Sequence, residues 1–195
     1  MISPKNITGF ILAGGKSSRM GEDKGLIQFQ GKPMIEYTLN VMKQCCDQVI
    51  IVSNNPEYEQ FGVTVIEDQI KDKGPLAGIC TALSYSQNPT NLILTCDSPF
   101  VNKGLIEALI SSKKAEVTLP IYEGQLYPLT AVYQKSTLEY LQTQLDLNNL
   151  KVKDVIKMLN INLVEVKNQS SFFTENLLEN INSKKDLQHI SGPTK

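Results

Sequence analysis

Residues 7–24 read Ile-Thr-Gly-Phe-Ile-Leu-Ala-Gly-Gly-Lys-Ser-Ser-Arg-Met-Gly-Glu-Asp-Lys, an apolar run followed by a glycine-rich loop. The apolar run predicts a buried β-strand, and the loop begins where that strand ends. Gly14 and Gly15 lack a Cβ atom, so the backbone can bend sharply and bring its N–H groups close to phosphate oxygens. Arg19 and Lys24 can supply positive charge, arginine as a planar fork and lysine as a point charge. The stretch therefore predicts a loop that holds a nucleoside triphosphate.

The loop matches neither of two common phosphate-binding motifs. The P-loop requires a glycine five residues before its Gly-Lys pair, and Phe10 stands at that place relative to Gly15. The dinucleotide fingerprint requires a second glycine where Lys16 stands. We therefore interpret the stretch as a third kind of phosphate loop. The alternative is a glycine turn in which Arg19 and Lys24 are merely solvated.

The composition bounds the class of protein. A chain of 195 residues is expected to form one domain with a full core. A formal net charge of −1 gives no overall attraction to nucleic acid or to an anionic membrane, so phosphate binding must be local. Apolar runs stay short of the roughly 18–20 residues that span a bilayer, and no secretory signal is recognised. We expect a cytoplasmic protein without a nucleic-acid or membrane partner.

The cysteine and histidine residues argue against two kinds of site. The spacing of Cys45, Cys46, Cys80 and Cys96 fits no zinc pattern, so reduced and packed cysteines are expected. His189 is the single histidine and lies near the C-terminus. A histidine-based catalytic dyad and a multi-histidine metal site are therefore excluded.

Short apolar runs alternate with helical patterns in the first half of the chain. The runs are typical of strands buried on both faces of a parallel sheet and cover residues 9–13, 49–52, 63–66 and 92–94. Helical patterns lie at residues 35–42, 76–85 and 105–110. The alternation predicts an α/β fold with three layers, α/β/α, and a mainly parallel sheet. Ligands bind beyond the carboxyl ends of such strands, where we expect Gly14, Asp68 and Asp97 to converge.

The regular alternation ends after Ser112. The pattern there predicts a hairpin or loop excursion, two helices and a further strand, at residues 117–133, 137–145, 152–159 and 163–166.

Asp97 is the second candidate feature, because it follows the apolar run at 92–94. A carboxylate that faces a triphosphate can hold Mg²⁺, a hard cation that takes oxygen ligands and keeps phosphates and waters in its shell. One protein carboxylate is therefore enough to anchor the ion, and Mn²⁺ could substitute for it. The alternative is an aspartate that caps the turn before Pro99.

Several sequence blocks accompany the loop in order. They are Lys24-Gly25, Gly31-Lys32-Pro33-Met34, Glu67-Asp68, Gly74-Pro75-Leu76-Ala77-Gly78 and Thr95-Cys96-Asp97-Ser98-Pro99-Phe100. Together with the loop, they resemble the nucleotidyltransferases with a GT-A-like fold, and among these the molybdenum cofactor guanylyltransferases of the MobA type. The resemblance covers the first half of the chain, and the second half is similar only loosely.

The resemblance implies an activity. The family transfers GMP from GTP to the terminal phosphate of molybdenum-molybdopterin, which gives the guanine dinucleotide form of the cofactor and pyrophosphate. It implies Mg²⁺ as the metal, and transient contacts with other cofactor-biosynthesis proteins or recipient enzymes. Two alternatives stay open. One is a related transfer, of CMP to molybdopterin or of a nucleotide to a sugar phosphate or a small phosphorylated acid; the other is a non-catalytic, nucleotide-binding regulatory subunit.

The resemblance also implies a division of the chain 1–195 into a nucleotide-binding half, 1–111, and an acceptor-binding half, 112–190, with a loose tail at 191–195. The implied nucleotide contacts are Leu12, Ala13, Gly14, Gly15, Lys24, Asp68, Gly78 and Asp97, and the implied catalytic groups are Arg19, Lys24 and Asp97. Asn182 would join Asp97 on the metal, and Asn180 and Asn182 would touch the acceptor.

Alternatives remain for the polar residues of these sets. A carboxylate at Asp68 can accept paired bonds from guanine N1–H and N2–H, but it can also serve as a turn aspartate. Asn180 and Asn182 can equally cap the last predicted helix. Asp23 is expected to orient Arg19 and Lys24 rather than to act on substrate.

Overall fold

The computed structural model describes residues 6–14, 23–70, 73–183 and 186. Gly15 and Arg19 of the glycine-rich loop lie outside the described residues, and so do the tail at 191–195 and His189. The account below concerns the described part of the chain.

Ten β-strands form one eight-stranded sheet and one two-stranded hairpin. The strands are β1 (Ile7–Leu12), β2 (Gln28–Phe29), β3 (Lys32–Pro33), β4 (Gln48–Val52), β5 (Thr64–Ile66), β6 (Thr90–Thr95), β7 (Val117–Tyr122), β8 (Gln125–Leu126), β9 (Ala131–Gln134) and β10 (Ile161–Glu165). The large sheet has the order β10-β7-β9-β6-β1-β4-β5, with β8 paired to β7. Strand β1 is parallel to both β4 and β6, and all six of its residues are buried, as a strand covered on both faces should be.

Helices cover both faces of the sheet. They are α1 (Met34–Cys45), α2 (Pro75–Tyr85), α3 (Lys103–Ser111), α4 (Leu138–Asp146) and α5 (Val152–Val155), with 3₁₀ turns at Lys24–Leu26, Pro56–Phe61, Lys135–Thr137 and Ile156–Met158. The buried hydrophobic residues of α3, and those of α1 apart from Met34, belong to one core cluster, and those of α2, α4 and α5 belong to a second. The three-layer α/β/α fold predicted from the sequence is therefore confirmed.

The expected strands of the first half are present, with ends that shift by no more than two residues. In the second half, the predicted hairpin is present as the antiparallel pair of β7 and β8. The Thr130 amide bonds the Tyr127 carbonyl at 3.0 Å and makes a turn between β8 and β9. Strand β9 then runs antiparallel between β6 and β7, which joins the two halves of the chain in one sheet.

Two smaller differences concern the end of the sequence pattern. The helix expected at 152–159 tightens after one turn into the 3₁₀ turn Ile156–Met158, and the last strand begins two residues earlier than expected, at Ile161.

The four cysteines are buried, as expected for packed side chains. No helix among the described residues combines the length and the apolar character that crossing a bilayer would require.

Candidate active site

Four predicted site residues meet at the carboxyl edge of the sheet. The Lys24 ammonium donates to Asp97 Oδ2 at 3.3 Å and to Asn182 Oδ1 at 2.7 Å. The Asn180 side-chain amide donates to Asp97 Oδ1 at 3.1 Å. Both carboxylate oxygens of Asp97 are therefore engaged by groups far away in the chain. The arrangement brings together residues from both halves of the chain, which the family resemblance assigned to nucleotide binding and to acceptor binding.

The position of Asp97 follows from the parallel pairing of β1 and β6. After β6 ends at Thr95, the Cys96 amide still bonds the Leu12 carbonyl at 3.2 Å, so the chain leaves the sheet beside the start of the glycine-rich loop. The Ile181 amide then bonds the Asp97 carbonyl at 3.0 Å. This backbone bond fixes the segment that carries Asn180 and Asn182 across the end of β6.

Asn180 is held at both ends of its side-chain amide. Its nitrogen donates to Asp97, and its oxygen accepts from the Ser98 hydroxyl at 3.2 Å. Ser98 is in turn 2.8 Å from the Thr95 hydroxyl. Because the Asn180 amide is committed in this way, it orients the Asp97 carboxylate. Asn180 thus lies beside Asp97, and it is exposed toward the cleft described below.

The Asp97 side chain is largely sheltered from water, with 13% of its side-chain surface exposed, against 23% for Lys24. Ion pairs in such partly buried places are screened less than those on open surface. Burial raises the pKa of the neighbouring Cys96 thiol, and the Asp97 carboxylate raises it further. The thiol therefore stays protonated, which agrees with a packed cysteine and not with a nucleophile.

The donor set fits a hard divalent cation. An ammonium group already lies between the Asp97 carboxylate and the Asn182 amide oxygen, so two oxygens converge on one positive charge. Among the described residues, no three Cys, His, Asp or Glu side chains are close enough to hold a metal by themselves. An ion at this place would need further oxygens from a bound phosphate or from water, which is the usual coordination of Mg²⁺.

The backbone beneath Lys24 is fixed by Asp23. Asp23 is the N-cap of the 3₁₀ turn Lys24–Leu26, and its Oδ1 accepts from the Gly25 amide at 3.2 Å. The expectation that Asp23 orients Lys24 therefore holds through the backbone and not through an ion pair. Asp23 also accepts from Tyr58 and Asn55, two residues that the sequence analysis did not assign to the site. The Asn55-Pro56 pair is a frequent start signal of helices and could have identified Asn55 as a cap, but not its bond to Asp23 or the position of Tyr58.

Asp68 lies at the other end of the same edge. Its Oδ1 accepts from the Ile70 amide at 3.2 Å and from the Thr81 hydroxyl at 3.0 Å. The Asp68 backbone amide donates to Asn54 Oδ1 at 2.9 Å. Asp68 thus has the turn role that was the alternative interpretation, and it remains half-exposed.

The remaining predicted nucleotide contacts lie around the end of β1. Leu12 and Ala13 are buried and Gly14 is exposed, so the chain emerges into solvent at the first glycine. The Ala13 amide continues the sheet by bonding the Val52 carbonyl at 3.0 Å. Gly78 lies in the first turns of α2, where a Cβ would come within 3.3 Å of the Leu12 side chain. A glycine there lets the start of α2 approach β1 closely.

A cleft of about 1000 Å³ opens next to Asn180 and Asn182. Apolar and polar side chains line it in similar number. They include Leu126, Tyr127, Pro128, Leu150, Val152, the lysines Lys151 and Lys153, and the carboxylates of Asp154, Glu179 and Asp186. The segment Tyr127-Pro128-Leu129 lies in the same cleft as the two asparagines. Such a volume suits a small-molecule ligand.

Comparisons with known proteins agree on one family. The family model of the MobA-like NTP transferase domain matches residues 9–163. A Flavobacterium johnsoniae protein named "Probable molybdenum cofactor guanylyltransferase" is 34% identical over 189 residues, which is 96% of this chain and 97% of that protein. A Clostridium perfringens protein of the same name is 36% identical over 158 residues, 80% of this chain and 79% of that one.

A solved structure shares the fold. The crystal structure of molybdopterin-guanine dinucleotide biosynthesis protein A from Archaeoglobus fulgidus superposes with a TM-score of 0.79 at 24% identity, covering 93% of this chain and 95% of that one. The family match extends from β1 into β10 and includes Lys24, Asp68 and Asp97. This chain belongs to the MobA-like NTP transferase family.

Proposed function

We propose that this protein is a molybdenum cofactor guanylyltransferase, which transfers GMP from GTP to the terminal phosphate of molybdenum-molybdopterin and releases pyrophosphate. Relatives of that name that match 80% or more of this chain support the assignment. The observation that carries it in the structure is the junction of Lys24, Asp97 and Asn182, where a cation already lies between two oxygens beside the phosphate loop.

The reaction needs charge neutralisation more than a general base. A terminal phosphate oxygen of the acceptor attacks the α-phosphorus of GTP, the new P–O bond forms, and the bond to the β-phosphate breaks with its electron pair leaving on pyrophosphate. A phosphate monoester is already an anionic nucleophile, which agrees with the absence of a histidine from the described residues. The obstacle is the approach of one anion to another, which positioned cations and N–H groups relieve.

Lys24 and Arg19 would bind the phosphates, with backbone N–H groups of the glycine-rich loop. Asp97 and Asn182 would hold Mg²⁺, with Mn²⁺ as a possible substitute, and the metal would supply Lewis-acid stabilisation of the phosphate oxygens. Because the Lys24 ammonium lies between these two oxygens, we expect it to turn toward the triphosphate when the nucleotide binds. Asn180 would keep the Asp97 carboxylate in orientation during this exchange.

The cleft beside the asparagines would receive the acceptor. Asn182 would contact both metal and acceptor, since it lines the cleft and bonds Lys24 at the same time. Lys151 and Lys153 offer positive charge to an anionic ligand, and Tyr127 offers an aromatic surface to a planar ring. Within one domain, residues 1–111 would bind the nucleotide and residues 112–190 would bind the acceptor.

Asp68 would read the base. Its Oδ1 is engaged by Ile70 and Thr81, which fixes the carboxylate at the carboxyl edge near the start of α2. A carboxylate held there could accept from guanine N1–H and N2–H. The rest of the nucleotide contacts would come from Leu12, Ala13, Gly14, Gly15 and Gly78.

The proposal also includes the setting of the reaction. The reaction would take place in the cytoplasm, with transient contacts to other cofactor-biosynthesis proteins or recipient enzymes.

The experiment that tests this function measures pyrophosphate release with GTP, CTP, UTP and ATP in turn, with Mg²⁺ and molybdenum-loaded molybdopterin as acceptor. Release with GTP alone supports the proposal. Release with CTP would keep the reaction but contradict the guanine assignment. Binding of GTP without any release would indicate another acceptor, such as a sugar phosphate, or a regulatory nucleotide-binding subunit.

A further inference from the structure

A buried polar network lies directly behind Lys24 and is not used by the proposed chemistry. At its centre is Tyr58, which is fully buried in the 3₁₀ turn Pro56–Phe61, yet places its hydroxyl against Asp23 Oδ1. Asn55 donates from its side-chain amide to Asp23 Oδ2 at 3.2 Å. Each oxygen of the Asp23 carboxylate is therefore tied to the segment that follows β4.

The network joins two helix caps. Asp23 caps the turn Lys24–Leu26 through the Gly25 amide, and Asn55 caps the turn Pro56–Phe61 through the Glu57 amide at 3.0 Å. Because the two capping side chains also bond each other, neither turn can shift without disturbing the other. A capping residue alone stabilises a helix end modestly, and a cap held by two further donors is more strictly positioned.

Gly25 makes the contact between the two turns possible. A Cβ at this position would collide with the Tyr58 hydroxyl and would come within 3.1 Å of Cys96 Cβ. The backbone next to Lys24 therefore packs directly on the Tyr58 ring and on the residue that precedes Asp97. This packing sets the distance between the base of the Lys24 side chain and the end of β6.

Tyr58 stays a hydrogen-bond donor at every pH of interest. Burial raises the pKa of its phenol, and the neighbouring Cys96 and Asp23 groups raise it further. A protonated phenol that faces a carboxylate donates a charge-assisted bond, which is stronger than a bond between neutral groups.

We propose that Tyr58 is a positioning residue for nucleotidyl transfer: through Asp23 it holds the backbone of Lys24 so that the ammonium reaches Asp97 and the triphosphate. The inference rests on the proposed function in one respect, that Lys24 binds the phosphates of GTP. Because Tyr58 is fully buried, its hydroxyl acts through Asp23, and Asn55 is the second donor to the same carboxylate.

A double-mutant cycle tests this role. Tyr58→Phe removes the hydroxyl and keeps the ring, and we expect kcat/KM for GTP to fall roughly 10- to 100-fold, the range for loss of a bond to a charged group. In a Lys24→Ala background the same change should cost less than about twofold, because Tyr58 acts through Lys24. Equal losses in both backgrounds would overturn the proposal.

Tyr140→Phe is the matched control. The Tyr140 side chain is partly buried, and its hydroxyl donates to the Val155 carbonyl at 3.0 Å; neither residue is among those that line the cleft. We expect the control to lower the melting temperature about as much as Tyr58→Phe while leaving kcat/KM for GTP within about twofold. A loss of activity in the control as large as that of Tyr58→Phe would show that destabilisation alone explains the effect.

Two additions keep the test decisive. Asn55→Ser retains a good N-cap but removes the donor to Asp23, so it should show the same dependence on Lys24 even if Tyr58→Phe does not fold. The affinity of Mg²⁺-GTP, measured by calorimetry in the same variants without acceptor, should follow the same cycle. If GTP binds and the cycle holds but no pyrophosphate is released, the proposed reaction fails and the positioning role stands.

Discussion

Asp97 and Asp68 each lie two residues beyond the end of a parallel strand, and the structure gives them different surroundings. Asp97 follows β6, in the interior of the sheet, and its carboxylate bonds Lys24 and Asn180, which lie 73 and 83 residues away in the sequence. Asp68 follows β5, at the end of the sheet, and its side chain bonds its own turn and the adjacent helix α2. The same local pattern thus produces a junction of distant segments in one case and a local turn in the other.

The difference follows from strand order. At the interior edge, segments from both halves of the chain reach one carboxylate, so that charge, metal ligands and the cleft can meet. At the outer edge, the partners of the Asp68 carboxylate among the described residues come from its own turn and from one helix. We therefore expect chemistry at Asp97 and recognition of the base at Asp68.

The largest effect is expected for Asp97→Asn. The variant keeps the shape of the side chain and can still bond Asn180, but it loses the charge that would hold the metal. We expect pyrophosphate release from GTP to fall by ~10²–10³, about 3–4 kcal/mol of transition-state stabilisation, with the melting temperature nearly unchanged. Turnover near that of the wild type would contradict the metal assignment. Glu165→Gln, at an exposed ion pair with Lys167, is a suitable control.

The second prediction concerns the cation that Lys24 places between Asp97 and Asn182. Lys24→Met removes the ammonium, so Mn²⁺ should bind the nucleotide-free protein several-fold more tightly, while Mg²⁺-GTP binds roughly 10- to 100-fold more weakly. Electron paramagnetic resonance of Mn²⁺ measures the first effect and calorimetry the second. Lys103→Met, at an exposed pair with Glu107, should change neither affinity. An unchanged Mn²⁺ affinity in Lys24→Met would mean that this ammonium does not compete with the metal.

A smaller effect is expected for Asp68→Asn. The substitution keeps an acceptor for Ile70 and Thr81 but adds a donor where guanine would present its own N–H groups. We expect KM for GTP to rise about tenfold and the preference for GTP over ATP to narrow, with kcat little changed. Steady-state kinetics with both nucleotides check this. A collapse of kcat would place Asp68 in the chemistry and erase the contrast with Asp97.

The smallest effect concerns Asp186, whose carboxylate accepts from the Asn182 amide at 2.8 Å. This bond and the Ser183 hydroxyl lower the pKa of Asp186 below its usual 3.8. A depressed pKa means that the charged form stabilises the fold above pH 3.8, and that the contribution disappears as pH falls through the lower, folded-state pKa.

The pH dependence can be read by thermal unfolding. Asp186→Asn should melt slightly below the wild type at pH 7, and the two curves should converge as the pH falls well below 3.8. A difference that persists unchanged at low pH would mean that the Asp186 charge does not hold the turn of Asn182.

The sequence predicted the sheet of the first half and the edge where ligands would bind, because short apolar runs and glycine positions are local signals. It also predicted that Asp97 and Asn182 belong together, but only through the resemblance to a family. The antiparallel insertion of β9 was not predicted, since strand order between β6 and β7 depends on packing of the whole sheet and not on periodicity.

The support of Lys24 was likewise out of reach of local patterns. Tyr58 lies 35 residues from Asp23, and an isolated tyrosine in a polar turn gives no sign that it will be buried against a carboxylate. The contact of Asn180 with Ser98 could not be predicted for a similar reason. This bond depends on how the segment that carries Asn180 crosses the end of β6. These contacts exist only once distant segments have packed.

The most direct test uses GTP labelled with radioactive phosphorus at the α-position, together with Mg²⁺ and molybdenum-loaded molybdopterin. It measures how much of the label is transferred to the acceptor. We predict that the wild type moves the label onto the acceptor as pyrophosphate is released, that Asp97→Asn does not, and that Asp68→Asn still does at saturating GTP. Label transfer that survives in Asp97→Asn, or that is lost in Asp68→Asn alone, would contradict the assignment of the two aspartates. No label transfer by the wild type, with GTP bound, would contradict the proposed reaction itself.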